Sequence, residues 1–184
     1  MRTEQELARL CTTGDREAQG ELYAQYASRL YALCYRYVAD SEEAQDLMHD
    51  AMIKAMDSFR YFSYSGDGSL YAWLRRLTVN VVIDRLRQMS KLRLVPLDQT
   101  IETGNTDAED DAADDIPAQV LMDMVAALPS VRRTVFNMYC IDGFSHKDIA
   151  AAIGITEKGS ASILAKARAQ LRSEVNDYLK RTGR

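Results

Sequence analysis

Twenty consecutive residues, Asp98 to Pro117 (DQTIETGNTDAEDDAADDIP), carry eight acidic side chains and no basic one. A stretch with that much like charge and little apolar content cannot bury enough surface to offset its chain entropy. It reads as a flexible, disordered linker. A chain of that length spans about 25 Å root-mean-square, more if charge repulsion extends it. The rest of the sequence must then fold as two units, residues 1–97 and 118–184, each with its own core. Charge follows the same division. Residues 1–97 hold 13 basic and 13 acidic side chains, whereas 118–184 hold 10 and 6. The net charge of −4 thus conceals a neutral, an acidic and a basic region, and argues against an indiscriminate nucleic-acid binder.

With 47% hydrophobic residues the two flanks are expected to be globular. No apolar run approaches the roughly 18 residues of a membrane span, and MRTEQELARL has no signal-peptide core, so no membrane insertion is expected. Cys11, Cys34 and Cys140 are odd in number, far apart and set in apolar helical patterns. They read as reduced core thiols of a cytoplasmic protein, without metal-ligand spacing.

Helical periodicity runs through residues 1–97. Leu7 and Leu10 belong to a first helix, and Gly14-Asp15 marks a turn. Leu22, Tyr26, Leu30, Leu33 and Tyr37 step along a second helix, where the tyrosine-rich stripe (Tyr23, Tyr26, Tyr31, Tyr35, Tyr37) reads as core. Ser41 is the expected N-cap of a third, with Glu42 and Glu43 suited to its N-terminal dipole. Leu47, Met48, Ala51, Met52, Ala55 and Met56 form its apolar stripe, leaving Asp46, His49, Asp50 and Lys54 on the other surface. A metal site built on His49-Asp50 would need more ligands. The other histidine, His146, lies in a different region, so neither metal nor cofactor is expected.

Residues 61–97 (YFSYSGDGSLYAWLRRLTVNVVIDRLRQMSKLRLVPL) open with aromatics and a small-residue loop, then become a helix. Leu70, Leu74, Leu77, Val81 and Val82 form its apolar face. Arg76, Asn80, Asp84 and Arg87 recur at i, i+4, i+8 and i+11 on a wet face. With Arg75, Arg85, Lys91 and Arg93 they make the helix basic. A basic face beside an aromatic-bearing loop suits single-stranded nucleic acid: cations track phosphates, and aromatics or a pocket receive unstacked bases.

Four helical pieces follow the linker: Gln119–Leu128, ending at Pro129; Val131–Ile141, with Val135, Phe136 and Tyr139 inward; Ser145–Ile153; and Glu157–Leu179. Ser145-His146-Lys147-Asp148 is a capping box. Gly154-Ile155-Thr156 turns the chain between the last two helices, over a core of Ile149, Ala150, Ile153, Ile155, Ile163 and Leu164. The pair reads as a helix-turn-helix. The expected fold is all-α, two helical domains on a flexible acidic linker, the second a helix-turn-helix domain.

Two segments in this order resemble the extracytoplasmic-function sigma factors of bacterial RNA polymerase. The first is ELYAQYASRLYALCYRYVADSEEAQDLMHDAMIKAM followed by YAWLRRLTVNVVIDRLRQ. The second is LPSVRRTVFNMYCIDGFSHKDIAAAIGITEKGSASILAKARAQLR. The resemblance implies partners: core polymerase, through the clamp helices of its largest subunit and its flap, and promoter DNA, duplex and single-stranded. An anti-sigma factor is a common further partner. It places polymerase contacts at Asp46, Leu47, His49, Asp50 and Lys54, with His49 where the family usually has Gln and Met52 where it has Phe. Gln19 replaces a common core aromatic. The loop Ser63–Ser69 resembles the segment that captures a flipped base of the minus-ten element. Asn80, Asp84 and Arg85 are matched to W-L-x-x-I-x-x-N-x-x-x-D-x-x-R, the pattern of the helix that lines and opens that element, with Leu77 at its Ile. Minus-ten contacts are thus expected at Tyr61, Ser63, Ser65, Asp67, Ser69, Trp73, Arg76, Asn80, Asp84, Arg85 and Arg87. Residues 156–164 resemble the family's S-E-G-T-x-K-S-x-L run. Minus-thirty-five contacts are expected at Ser145, Thr156, Lys158, Gly159, Ser160, Ser162, Lys166 and Arg168, with Ala161 and Ile163 replacing polar residues. The acidic linker resembles the interdomain segment that lies in or near the RNA path.

The function implied is promoter recognition and opening by a non-enzymatic polymerase subunit. A helix-turn-helix regulator that never engages polymerase is the alternative. An enzyme built on the acidic third helix lacks a nucleophile, a phosphate loop and a ligand set.

Overall fold

Helix α1 (Glu4–Thr12) starts where Thr3 and Glu6 form a capping box, each side chain taking the other's backbone N–H. Helix α2 (Arg16–Val38) starts at Asp15, whose carboxylate accepts the Ala18 N–H at 2.8 Å. Both caps satisfy N–H groups that a helix start leaves without intrahelical partners. The computed structural model describes residues 2–89 and 116–183. Lys91, Arg93, Leu97 and residues 98–115 of the acidic stretch lie outside the described residues. Among the described residues the secondary structure is helical, with no strand. The chain divides into two compact units, Met1–Arg85 and Leu86–Arg184.

In the first unit α2 packs along α3 (Ser41–Ser58), with α1 against α2. Leu22, Leu30, Leu33 and Tyr37 of α2 are buried, as are Leu47, Met48, Ala51 and Met52 of α3. Each fully buried leucine contributes roughly 1.5–3 kcal/mol of transfer free energy. The tyrosine stripe is only partly core. Tyr26 and Tyr37 are buried, but Tyr23 and Tyr35 stand about 40% exposed. The cause is phase: 35 lies opposite the row 22, 26, 30, 33 and 37, and 23 lies at the edge of that row. The N-cap of α3 is Asp40, not Ser41; its carboxylate accepts the Glu43 N–H at 2.9 Å. Asp40 can cap because Ala39, in the left-handed conformation at φ 53°, has already ended α2.

A single 3-10 turn (Phe59–Tyr61) and a loop lead to α4 (Ser69–Gln88). Its buried face is Leu70, Leu74, Thr78, Val79, Val82 and Ile83. Leu77 and Val81 are only half-buried. The apolar face is rotated relative to the expected one because Thr78 is fully buried, its hydroxyl donating to the Leu74 carbonyl at 2.7 Å. A threonine so satisfied can occupy a core position that periodicity alone assigns to a leucine.

The second unit comprises α5 (Ala118–Ala127), α6 (Ser130–Phe136), α7 (His146–Ile153) and α8 (Glu157–Thr182). The segment expected to continue α6 to Ile141 widens into a π turn over Asn137–Ile141, closed by the Asp142 N–H on the Asn137 carbonyl at 2.9 Å. The extra residue turns Asn137 and Met138 inward, leaves Phe136 and Tyr139 half-buried, and puts Cys140 on the surface. Cys140 is therefore not a core thiol, unlike Cys11 and Cys34. Ser145 and Asp148 form the expected capping box, and Gly154 ends α7 at φ 74°. Arg132 donates to Gln170 at 2.8 Å and Arg133 to the Ala126 carbonyl, so two of this unit's cations hold helices together.

Candidate nucleic-acid and docking surfaces

Residues 62–69 are held at both ends by aromatics. Trp73, in the second turn of α4, packs against buried Phe59 (ring centroids 5.0 Å apart) and against Phe62 (5.1 Å). Trp73 is itself half-buried, so it anchors the loop instead of standing free beside it. Within the loop the Tyr64 hydroxyl donates to Asp67 at 2.7 Å, and that carboxylate holds the phenol above its usual pKa. The Ser65 N–H donates to the Ser69 hydroxyl at 3.3 Å. The carboxylate of Glu4, at the start of α1, accepts the Gly68 N–H at 2.7 Å and the Leu70 N–H as well. Ser63, Ser65 and Asp67 remain exposed, and Tyr61 is 73% exposed with the Arg60 guanidinium 4.7 Å from its ring centroid.

From this loop α4 carries Arg76, Asn80, Asp84 and Arg87 outward, all four exposed on the expected face. Arg85 departs from that row. Its guanidinium lies 4.0 Å from the Asp50 carboxylate of α3, in an exposed pair that contributes little to stability. Counting the W-L…N…D…R spacing from Trp73 also puts its last arginine on Arg87, not Arg85. At the first turn of α4, Tyr71 stacks on Tyr26 (6.1 Å) beneath the Arg29 guanidinium, 3.6 Å from the Tyr71 ring centroid. Such a contact is worth about 0.5–2 kcal/mol and pins the start of α4 to α2.

The outer face of α3 exposes Asp46, Asp50 and Lys54, with His49 half-buried. Leu47 is fully buried in the unit's core, and its side chain cannot reach a partner. Helical spacing explains the difference: 46, 50, 53, 54 and 57 share one side, and 47 sits with 44, 48, 51 and 55. Ile53, which neither periodicity nor resemblance singled out, is 63% exposed among these charges. His49 pairs with Tyr23 of α2, its Nε2 3.0 Å from the hydroxyl. Among the described residues no cluster of three His, Cys, Asp or Glu side chains could hold a metal.

In the second unit the residues read as a recognition helix play mixed parts. Thr156 caps α8 by accepting the Gly159 N–H at 3.0 Å, and the Ser145 hydroxyl is engaged with Asp148. Ser160 is fully buried and bonded to Nδ1 of His146 at 2.9 Å, and Gly159 is buried too. Neither can read a base edge. Lys158, Ala161, Ala165 and Arg168 are exposed, while Ser162 and Lys166 are half-buried. Arg168 lies over the edge of this surface, its guanidinium 5.9 Å from the Tyr139 ring and 3.7 Å from Cys140 Sγ.

Comparison with known proteins gives this arrangement a family. The model of sigma-70 region 2 matches residues 22–91, and that of sigma-70 region 4 matches residues 118–171. The chain is 30% identical over 173 residues to the ECF RNA polymerase sigma factor SigM of Mycobacterium tuberculosis, covering 92% of this chain and 83% of that one. It is 30% identical over 161 residues to the RNA polymerase sigma-H factor of Pseudomonas aeruginosa, covering 82% of each. The match to SigE of Mycolicibacterium smegmatis, also 30% identical, covers 91% of this chain but 65% of that protein's length. Two solved structures share the fold at a TM-score of 0.50. CnrH, in complex with the cytosolic domain of CnrY, is 22% identical, with 95% of this chain and 97% of that one covered. The sigma factor RpoE of Bartonella quintana, in complex with the anti-sigma factor NepR, is 19% identical, with 86% and 96% covered. No helix among the described residues is long and apolar enough to cross a membrane. With both regions matched in order on two helical units, the chain belongs to the extracytoplasmic-function sigma factors of RNA polymerase.

Proposed function

We propose that this chain acts in the cytoplasm as a dissociable, non-enzymatic promoter-specificity subunit. The exposed side of α3 (Asp46, His49, Asp50, Ile53, Lys54) docks on the clamp helices of the polymerase largest subunit, and the second unit docks on the flap. The start of α8, through Lys158, Ser162 and Lys166, reads duplex DNA of the minus-thirty-five element, while Arg168 and Arg172 hold phosphates. The loop and α4 hold the separated minus-ten strand. The observation that carries this reading is the exposed row Arg76, Asn80, Asp84 and Arg87 running from the aromatic-anchored loop.

The energetics require the larger enzyme. Opening DNA costs about 1–2 kcal/mol per base-pair step. Capture of an unstacked base returns about 1–3 kcal/mol. One or two captured bases cannot sustain a bubble, so polymerase must supply the remaining contacts. Because RpoE of Bartonella quintana was solved with an anti-sigma factor, a protein of that kind is a further partner on this reading.

The test is run-off transcription with bacterial core polymerase and genomic promoter fragments, with and without the protein. New transcripts from discrete start sites support the proposal and supply the promoter sequences. Duplex binding by the free protein, with no transcripts and no complex with core, would establish a regulator that does not engage polymerase.

A further inference from the structure

We propose that Glu4 is a positioning residue for base capture: from α1 it presets the backbone of the loop before α4. This rests on reading the loop as the minus-ten pocket. The loop cannot easily hold one shape by itself. Gly66 and Gly68 both adopt positive φ (120° and 87°), a region open to glycine and rarely to other residues. Glycine also gives the free chain the most freedom to lose when the loop is fixed.

The start of α4 needs acceptors for its first N–H groups. Ser69 is the first residue of α4, and its hydroxyl accepts the N–H of Ser65, a loop residue outside the helix. Glu4 fills the gap from 64 and 66 residues away, one carboxylate oxygen taking the Gly68 N–H at 2.7 Å and the other the Leu70 N–H. A carboxylate at a helix N-terminus is further favoured by the aligned peptide dipoles. Both oxygens together fix Gly68, in its positive-φ conformation, against the first turn of α4.

Glu4 is itself firmly placed. The Thr3–Glu6 capping box holds the start of α1. The backbone N–H of Arg2 donates to Glu21 at 3.0 Å, and its guanidinium meets Glu17 at 3.0 Å and Glu21 at 2.8 Å. The position of the loop is thus relayed from α2 through Arg2 and Glu4. The exposed Ser63, Ser65 and Asp67, with Asp67 braced by Tyr64, are presented in one arrangement before any base arrives. Preorganisation of this kind raises affinity by reducing the ordering that binding would otherwise require.

The experiment compares polymerase holoenzymes carrying the wild-type chain, Glu4→Ala and Glu4→Gln. The probe is a short fluorescent single strand bearing the minus-ten region of a promoter found by run-off transcription. Glu4→Ala is expected to weaken strand binding about tenfold. Affinity for core and for a duplex minus-thirty-five fragment should stay unchanged, and hydrogen exchange at the Gly68 and Leu70 amides should accelerate. Glu4→Gln retains an oxygen acceptor and should recover part of the loss. Equal strand affinity for Glu4→Ala and wild type overturns the proposal. So does a uniform loss of core, duplex and strand binding in both variants, which would mark a merely structural role. A wild-type holoenzyme that binds this strand no better than a scrambled one refutes the pocket reading itself, before any substitution is made.

Discussion

Nδ1 of His146 lies 2.9 Å from the Ser160 hydroxyl, joining the first turn of α7 to the first turn of α8. The His146 ring also stacks on Tyr139 at 4.4 Å, so the π turn, α7 and α8 meet at one imidazole. Ser160→Ala is expected to destabilise the second unit by about 1 kcal/mol, with more if the imidazole is left without a partner. Base preference should not change. Thermal unfolding and a binding-site selection, run side by side, check both halves of this statement.

Lys158→Ala combined with Ser162→Ala should do the reverse. Both positions lie on the outer side of α8, where Lys158 is exposed and Ser162 half-buried. Loss of upstream-element recognition with unchanged core affinity is expected, read by footprinting of holoenzyme on a promoter. An unaltered footprint would remove these two residues from the DNA surface.

On α3, Asp50→Arg and Leu47→Ala separate surface from core. Asp50 is exposed and reaches only the edge of Arg85, so reversing its charge should move stability by no more than about 0.5 kcal/mol. Affinity for core polymerase should fall about tenfold, measured by competition for labelled holoenzyme. Leu47→Ala should instead cost about 2–5 kcal/mol of unfolding free energy, because the side chain is fully buried.

Ala39 carries the only positive φ among the described non-glycine residues, 53° at the end of α2. A Cβ in that conformation costs about 1–2 kcal/mol. Ala39→Gly relieves it and loses part of the gain to unfolded-chain entropy, leaving an expected stabilisation of about 0.5–1 kcal/mol. A midpoint of chemical denaturation that falls instead would show that the αL cap is unstrained.

Burial pushes the Cys34 thiol up to about 12 and the Cys11 thiol up to about 11. The fold keeps both neutral, whereas unfolded thiols ionise near a pKa of about 8.5. Their contribution is fully present below that pH and is lost as pH rises through the folded values of about 11 and 12. At pH 8, iodoacetamide should therefore modify exposed Cys140 first, with Cys11 and Cys34 reacting only after denaturation. Mass spectrometry of peptides after brief labelling would show the order.

Features encoded within a few residues were legible in the amino-acid string. The Ser145–Asp148 capping box, the Gly154 turn, the α2 core row from Leu22 to Tyr37 and the outward row from Arg76 to Arg87 depend on local chemistry and helical period, and all stand where those rules put them. The family, too, was legible, because its two segments keep their residue patterns and their order along the chain. What the string could not supply was the identity of the neighbour. Thr78 replaces Leu77 in the core, Leu47 turns inward beside exposed Asp46, and Ser160 meets His146 instead of DNA, each because a second helix decides which side of the first is covered. The loop before α4 shows the same limit at its greatest range, since the acceptor that fixes Gly68 is Glu4, and no periodicity links residues that far apart. Burial and long-range hydrogen bonding are properties of packed pairs, and a single helix's pattern holds only half of each pair.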